Sequence, residues 1–164
     1  MSGCPGRVRT PGAGHSTGMA VVNVLIQRSP EQVWSVLADG TAYADWVVGT
    51  SQIRGVDDGW PAVGAALHYT VGFGPLGLRG TTTVRSATPG RALGLEADAG
   101  PFGTARIAIE LLEWGEDTVV VVDEHPLRGP AGMLHNAASE VLILLRGRPM
   151  VGNLKRLVER RFPR

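Results

Sequence analysis

The order of apolar and polar positions at the start of the chain predicts a strand followed by a helix. Residues 19–27 are rich in β-branched side chains, which is typical of a strand. Ser29 then stands where a helix cap is expected, with Pro30 at the first helical position and Gln32 three residues after the serine. We therefore expect a short helix that ends at Asp39 and Gly40.

A second short helix is expected directly afterwards. Thr41 is positioned to cap it, and Tyr43, Trp46 and Val47 fall on one of its sides before Gly49 ends it. This grouping predicts that the second helix packs by an aromatic face.

Beyond residue 50 the apolar positions recur with a period of two, which predicts an antiparallel meander. Turn residues separate the segments, and Gly72, Gly80 and Gly94 within them suit bulges or bends of a curved sheet. The predicted strands are Ser51–Val56, Ala65–Phe73, Arg79–Ala87, Arg91–Ala97, Thr104–Glu113 and Thr118–His125.

From about Asn136 the period is helical again. Basic residues occupy the side of this helix opposite to its apolar stripe, and Pro149 predicts a kink or a break because it cannot donate a hydrogen bond to Leu145. The stripe that should pack inward comprises Ile143, Gly147, Met150, Val151, Leu154, Leu157 and Val158.

The length of 164 residues suits one domain, and 43% apolar residues indicate a folded protein. With 23 glycines and 5% aromatic residues, the core should consist of small and aliphatic side chains. Residues 1–18 read as a disordered leader before a single domain over residues 19–164, and Met19 is a candidate natural start.

The sequence contains no apolar run of the roughly 18 residues that would span a membrane, and no secretory signal pattern. These features predict a cytoplasmic protein. Cys4 is the single cysteine, so an internal disulfide and a multi-cysteine zinc site are excluded.

Charge is unevenly distributed, since residues 146–164 carry a local charge of +6 and residues 19–145 one of −7. A basic stretch can bind nucleic acid, but this one lacks interleaved aromatic residues for base stacking. We therefore expect a solvated helix face, attraction between the two halves and no nucleic acid.

Two glycine motifs match known sites but lack the required context. Residues 14–18 fit the serine hydrolase elbow, which needs a preceding strand, and residues 72–77 fit a dinucleotide loop, which needs a following helix. His125 and His135 have no third ligand at helical spacing. The sequence thus predicts neither a metal nor a cofactor.

Several segments resemble the START-like superfamily, also labelled SRPBCC, which includes bacterial polyketide cyclase/dehydratase-like and lipid-binding proteins. The resemblance extends from about Met19 to Val158. It implies an α+β helix-grip fold, in which a curved antiparallel β-sheet wraps around a long C-terminal helix and two short helices follow the first strand. The segments that carry it are 29–34, 37–39, 43–47, 64–69, 81–84, 124–126 and 129–130.

Small sheet residues beneath a long helix should leave a cavity for an apolar ligand. The resemblance places Val120, Val122 and Glu124 inward, where burial would raise the pKa of the Glu124 carboxyl and suit acid/base catalysis or ligand binding. Alternatively, Glu124 is a structural carboxylate bound to the loop after Pro126. The full set of candidate ligand-binding residues is Trp46, His68, Tyr69, Thr82, Val120, Val122, Glu124 and Met150, of which either His68 or Tyr69 faces the cavity, not both.

Three functions remain open. The first is binding, and possible transport or sequestration, of a hydrophobic small molecule such as a lipid or polyketide. The second is a cofactor-free polyketide aromatase/cyclase or dehydratase with Glu124 as catalytic group, although Arg79, Arg85 and Arg106 should all face outward, leaving no cation for an enolate. The third is a protein interaction through residues 141–145 and the basic helix face. The protein is expected to be a monomer or a homodimer.

Overall fold

The computed structural model describes residues 20–71, 77–100, 103–128 and 137–164, with the backbone alone for residues 20, 128 and 137–146. The expected leader, the serine motif at residues 14–18 and His135 lie outside the described residues. Residues 72–76 of the glycine motif also lie outside them, but the chain continues from Gly77 into a strand, whereas a dinucleotide loop requires a helix.

The described residues form one curved antiparallel sheet of seven strands and a long C-terminal helix, which confirms the predicted α+β helix-grip fold. Strand order is β1-β7-β6-β5-β4-β3-β2, so the first and last strands are neighbours. The strands are β1 (Ala20–Ile26), β2 (Thr50–Val56), β3 (Ala66–Val71), β4 (Leu78–Thr88), β5 (Ala92–Asp98), β6 (Thr104–Trp114) and β7 (Asp117–Arg128). The helices are α1 (Pro30–Leu37), α2 (Tyr43–Trp46) and α3 (Ala137–Arg161), with a 3-10 turn at Gly40–Ala42.

Helix α1 begins as its sequence predicts. The Gln32 amide lies 3.4 Å from the Ser29 hydroxyl oxygen that accepts its hydrogen bond, and the Ser29 amide donates to the Gln32 side chain at 3.1 Å. The prediction that Thr41 caps the second helix was wrong, because α2 begins after Ala42 without a side-chain cap, and Asp39 caps the 3-10 turn before it. The Asp39 carboxylate accepts from the Thr41 amide at 3.1 Å, as a carboxylate at this position commonly does.

Strand β7 extends past the predicted end at His125 to Arg128. A proline cannot donate to a sheet, but Pro126 stands opposite Ala105 beside a register shift in β6, where the pairing is already irregular. At Gly80 the pairing with Tyr69 on β3 shows no register shift, so no bulge lies there, and a bend at this glycine stays a prediction. Gly94 does lie beside an irregularity, opposite Ser86 in the shifted part of β4.

Helix α3 crosses the inner face of the sheet and continues through Pro149 without a break. Pro149 is exposed. The position at which the helix lacks a backbone hydrogen bond therefore faces water, and the proline ring disturbs little of the helix packing. The predicted stripe is buried at Gly147, Met150, Leu154 and Val158, among others, whereas Arg148 and Arg156 are exposed. No helix of the described segments is long and apolar enough to cross a bilayer.

The last turns of α3 also close the free edge of β1. Lys155 donates from Nζ to the Leu25 carbonyl at 3.0 Å, and Glu159 accepts from the Gln27 amide at 3.2 Å. The Arg28 guanidinium donates in turn to the carbonyls of Glu159 and Phe162 at the end of the helix. These contacts satisfy helix carbonyls that would otherwise lack partners and cover backbone groups of the edge strand.

Candidate functional site

Alternate residues of β7 face the inner side of the sheet, beneath α3. Thr118, Val120 and Val122 are buried there, and Glu124 is the next in the series with 5% of its surface exposed. Glu124 pairs with Ile107 on β6 and with Ala20 on β1. The carboxylate is therefore on the face where the resemblance places it, although its role stays a prediction.

A cluster of three hydroxyls lies on the same inner face, on the side of β3 and β4. The hydroxyl oxygens of Tyr43 and Thr82 are 2.9 Å apart, and Thr82 Oγ1 donates to the Tyr69 hydroxyl at 3.3 Å. All three residues are buried. We call Tyr43, Tyr69 and Thr82 the hydroxyl cluster.

The side chains of His68 and Tyr69 point to opposite faces of β3, as alternation requires. Tyr69 is buried in the hydroxyl cluster, whereas His68 is exposed and bonds Thr81 through Nδ1 at 3.1 Å. The expectation that His68 could line the ligand site is therefore wrong, and Tyr69 is the inward member of the pair.

Trp46 and Met150 both belong to the packed core. The Trp46 ring meets the Tyr43 ring edge to face, with centroids 5.3 Å apart, and so supports the tyrosine of the hydroxyl cluster. Met150 of α3 is fully buried among core residues. Whether either side chain also touches a ligand stays a prediction.

The inner-face row that begins at Thr82 has small side chains on the next two strands, whereas the row of Glu124 contains Ile107 and Leu95. Thr82 is followed across the sheet by Ala97 on β5 and Ala105 on β6. Three strand spacings separate β4 from β7, which corresponds to roughly 14 Å measured across the strands. Two polar positions thus lie on either side of a strip that contains the small residues Ala97 and Ala105.

The arginines of the central strands lie on the outer face, as their parity predicts. Arg79, Arg85 and Arg106 are all exposed, and Arg85 forms an ion pair with Glu96 at 3.1 Å. Among the described residues of β4, β5 and β6, the inner face therefore presents no cation.

A metal site and a charged groove are two other candidates, and neither fits a ligand site better than the inner face does. His125 bonds Asp123 at 3.0 Å, and the described chain contains no group of three metal-ligating side chains. A groove of about 550 Å³ lies at the β4–β5 turn beside the start of α1, where Glu31, Glu110, Glu113 and Arg91 line it. A hydrogen bond from Ser29 lowers the pKa of Glu31. This groove lies several residues along the strands from Thr82, so it is separate from the hydroxyl cluster.

Tyr43 is the site residue that sequence analysis missed. Its position beside Trp46 on α2 predicts core packing, and its hydroxyl partner Thr82 is 39 positions away along the chain. Gly80 is the signal that could have located this region. A Cβ atom there would lie 2.5 Å from the Tyr69 ring, so the glycine lets the ring lie against the strand.

Comparisons with known structures agree on the fold. Protein NE0264 from Nitrosomonas europaea superposes with a TM-score of 0.69 at 15% identity, over 93% of this chain and 100% of that one. The Zhui aromatase/cyclase from Streptomyces sp. R1128 gives 0.65 at 16% identity, over 87% and 94%. DynU16, a protein of the dynemicin biosynthetic locus, gives 0.64 at 20% identity over 87% of this chain, which spans only 47% of DynU16.

No curated protein matches the chain by sequence. Residues 19–159 do match the family described as polyketide cyclase / dehydrase and lipid transport, a range close to that of the START-like resemblance. The fold, the extent of the match and the resemblance agree, so the chain belongs to the polyketide cyclase / dehydrase and lipid transport family.

Proposed function

We propose that this protein binds a hydrophobic small molecule, such as a lipid or a polyketide, between α3 and the inner face of the sheet. The observation that carries the proposal is the arrangement of two polar positions around an apolar strip. The hydroxyl cluster lies on one side and Glu124 on the other, with Ala97 and Ala105 between them. Apolar walls with a few placed polar groups are typical of small-molecule sites.

Family membership supports this proposal, because the family includes lipid transport as well as cyclisation and dehydration. The Zhui aromatase/cyclase shares the fold, but a likeness at 16% identity does not transfer its chemistry. Binding requires only shape, apolar surface and hydrogen bonds, all of which the inner face offers. Ligand binding is therefore the function that requires the fewest features beyond those described on the inner face.

Aromatase/cyclase or dehydratase activity is the second candidate, and the burial of Glu124 favours it. A carboxyl group on an apolar face can exchange protons with a ligand carbon or oxygen. In that mechanism the Glu124 carboxyl would move the proton, while the hydroxyl cluster, three strands away, would hold an oxygen at another part of the poly-carbonyl chain. No cofactor enters this step.

The proposal extends to location and partners. We expect the full chain in the cytoplasm, without nucleic acid and without a metal or organic cofactor. Fractionation of cells that express the tagged full chain tests the location, and recovery of the tag with membranes would contradict it.

Native mass spectrometry of freshly purified protein tests binding most directly. We expect an apolar compound to copurify, and an environment-sensitive apolar dye to bind in competition with it. Protein that is empty and fails to bind the dye or any lipid would contradict the proposal.

Two matched variants locate the site. Glu124→Gln keeps the shape of the side chain and should change ligand affinity by about 1 kcal/mol if Glu124 contacts the ligand. Arg85→Gln, on the outer face of β4, should leave affinity unchanged. A large loss of thermal stability in Glu124→Gln without any change in dye binding would instead identify Glu124 as structural.

Turnover of a poly-carbonyl substrate separates the two candidates. If Glu124 is an acid/base group, Glu124→Gln should lower turnover by roughly 10²-fold or more while affinity changes only a few-fold. Absence of turnover in the parent protein, together with a bound apolar ligand, would support binding alone.

A further inference from the structure

The outer face of the sheet carries a local apolar surface on its last three strands. Leu25 of β1, Val119 of β7 and Leu112 of β6 lie side by side in register. Trp114 follows Leu112 on the same face and is 69% exposed, while Leu112 and Leu25 are 48% and 40% exposed. We call these four residues the outer patch.

The rest of the outer face differs sharply in character. Towards β4 it carries Glu96 and Arg106, which are in register, and Arg85, which lies at a register shift of β4 and forms an ion pair with Glu96. Apolar side chains are thus concentrated where β1, β7 and β6 meet, and contiguous exposed apolar surface of this kind marks interaction sites.

Charges of opposite sign flank the outer patch. On the β6 side, Glu110 is exposed on the same face as Leu112, and it forms no ion pair with any residue that the structure describes. On the β1 side, α3 runs along the edge strand. Arg148 precedes Lys155 by two helical turns and so lies on the same stripe, which faces the β1 edge.

The charges on the two sides of the outer patch also lie at matching positions along the strand direction. Gly147 lies against Val22, which places Arg148 near Asn23 of β1. Asn23 is in register with Val121, and Val121 with Glu110. Arg148 and Glu110 therefore lie at about the same level on opposite sides of the outer patch.

We propose that the outer patch binds a second copy of this chain, in a two-fold dimer whose axis runs parallel to the strands. A rotation of 180° about such an axis leaves the position of each residue along the strand direction unchanged. It places the β1 side of one copy over the β6 side of the other. Arg148 of one copy then faces Glu110 of the other, and the apolar rows meet at the centre. An axis across the strands would instead bring like charges together.

The charges next to Trp114 argue against a lipid surface as the occupant. Glu113 and Glu116 are both exposed around the hairpin tip that carries the tryptophan, and they would repel anionic headgroups. A second copy instead brings Arg148 to Glu110, which forms no ion pair with any described residue.

The first test measures the mass of the full chain by sedimentation velocity from about 1 to 100 µM, a range that covers weak and moderate dimers. We expect a dimer at the upper end, and at least a tenfold higher dissociation constant for Leu112→Glu and Trp114→Glu. Val63→Glu is the matched control, because Val63 is 66% exposed in the turn before β3. Thermal unfolding of all variants shows that the fold is kept.

The second test reverses the two flanking charges. Glu110→Arg and Arg148→Glu should each weaken the dimer, and the double variant should restore it, because every contact then again joins opposite charges. A parent chain that remains monomeric overturns the proposal, as does a dimer that the Leu112 and Trp114 variants leave intact. Monomeric protein that binds phosphatidylserine vesicles through Trp114 would assign the patch to a lipid surface and likewise overturn it.

Discussion

Thr82 joins two tyrosines that come from separate parts of the chain. Its hydroxyl is within hydrogen-bond distance of Tyr43 from α2 and of Tyr69 from β3. A buried hydroxyl is expensive to leave without a partner, so these three residues stabilise one another. They also fix the position of α2 against the sheet, next to the strip of small residues.

We expect Thr82→Val to lower the free energy of unfolding by about 1–2 kcal/mol, because the nearly isosteric valine leaves both tyrosine hydroxyls without this partner. Thr83→Val, which faces the other side of the same strand, is the control and should change stability little. Chemical denaturation of the two variants measures the difference. Equal effects would mean that the cluster contributes no stability.

Gly80 allows the close approach of the Tyr69 ring, and a methyl group there would meet ring atoms at 2.5 and 2.8 Å. Gly80→Ala should therefore cost roughly 1–3 kcal/mol and displace Tyr69 from Thr82. Gly152→Ala on α3 is the contrasting variant, since nothing lies within 4 Å of its added methyl and alanine favours the helix. Melting temperatures should fall for the first and hold or rise for the second.

Sequence alternation predicted which residues of β6 face inward, because polar and apolar positions alternate clearly there, whereas the run of valines in β7 hides the pattern and only the family resemblance indicated its inward residues. The partners of those residues could not be predicted. The bond between Tyr43 and Thr82 depends on how α2 lies over the sheet, and no local pattern encodes that distance. The sequence did not show whether His68 or Tyr69 faces inward, and the burial of Tyr69 in the structure assigns the inner face to it.

At the scale of elements, α3 depends on two different surfaces. One side packs its apolar stripe on the inner face, and the other side bonds the edge of β1 through Lys155 and Glu159. The predicted stripe was correct from Gly147 to Val158, because a period of 3.6 identifies a buried helical face, and the side chain of Ile143 lies outside the described residues. Of the two alternatives predicted at Pro149, the break is excluded because the helix continues through the exposed proline, and the kink stays a prediction.

Leu154 is 1% exposed at the centre of the stripe, so Leu154→Asp would bury a charge against the sheet. We expect it to destabilise the domain by roughly 3 kcal/mol or more, enough to unfold a marginal protein. Arg156→Asp, two positions away on the exposed side, should have a small effect. Circular dichroism during thermal unfolding compares them, and similar losses would mean that the stripe is assigned wrongly.

Across the whole molecule, the basic C-terminal region and the acidic remainder meet as their charges predict. Arg161 pairs with Asp39 at 2.8 Å, and Arg164 pairs with Asp117 at 2.5 Å. Both pairs are partly exposed, so each contributes little by itself. Asp39 is the more consequential partner, since it also caps the 3-10 turn that leads into α2.

The hydrogen bond from Thr41, together with Arg161, holds the pKa of Asp39 below its ordinary value of 3.8. The unfolded chain therefore takes up this proton first as pH falls, and the stability from Asp39 is present at neutral pH and lost from about pH 5 downward. Asp39→Asn should be less stable at pH 7 and lose less between pH 5 and 3. Asp45→Asn serves as the control, and identical pH profiles for Asp39→Asn and the parent would contradict this account.

The pairing of β1 with β7 has a consequence for how the chain is made. Val22 finds its partner Val122 a hundred positions later, and the side chains that cover the other edge of β1 come later still, at Lys155 and Glu159. On the ribosome, the first strand therefore waits with both edges open until almost the whole chain has been synthesised. Pairings between such distant segments form slowly and expose apolar surface meanwhile. A nascent chain halted before α3 would be the form most prone to aggregate and most dependent on chaperones.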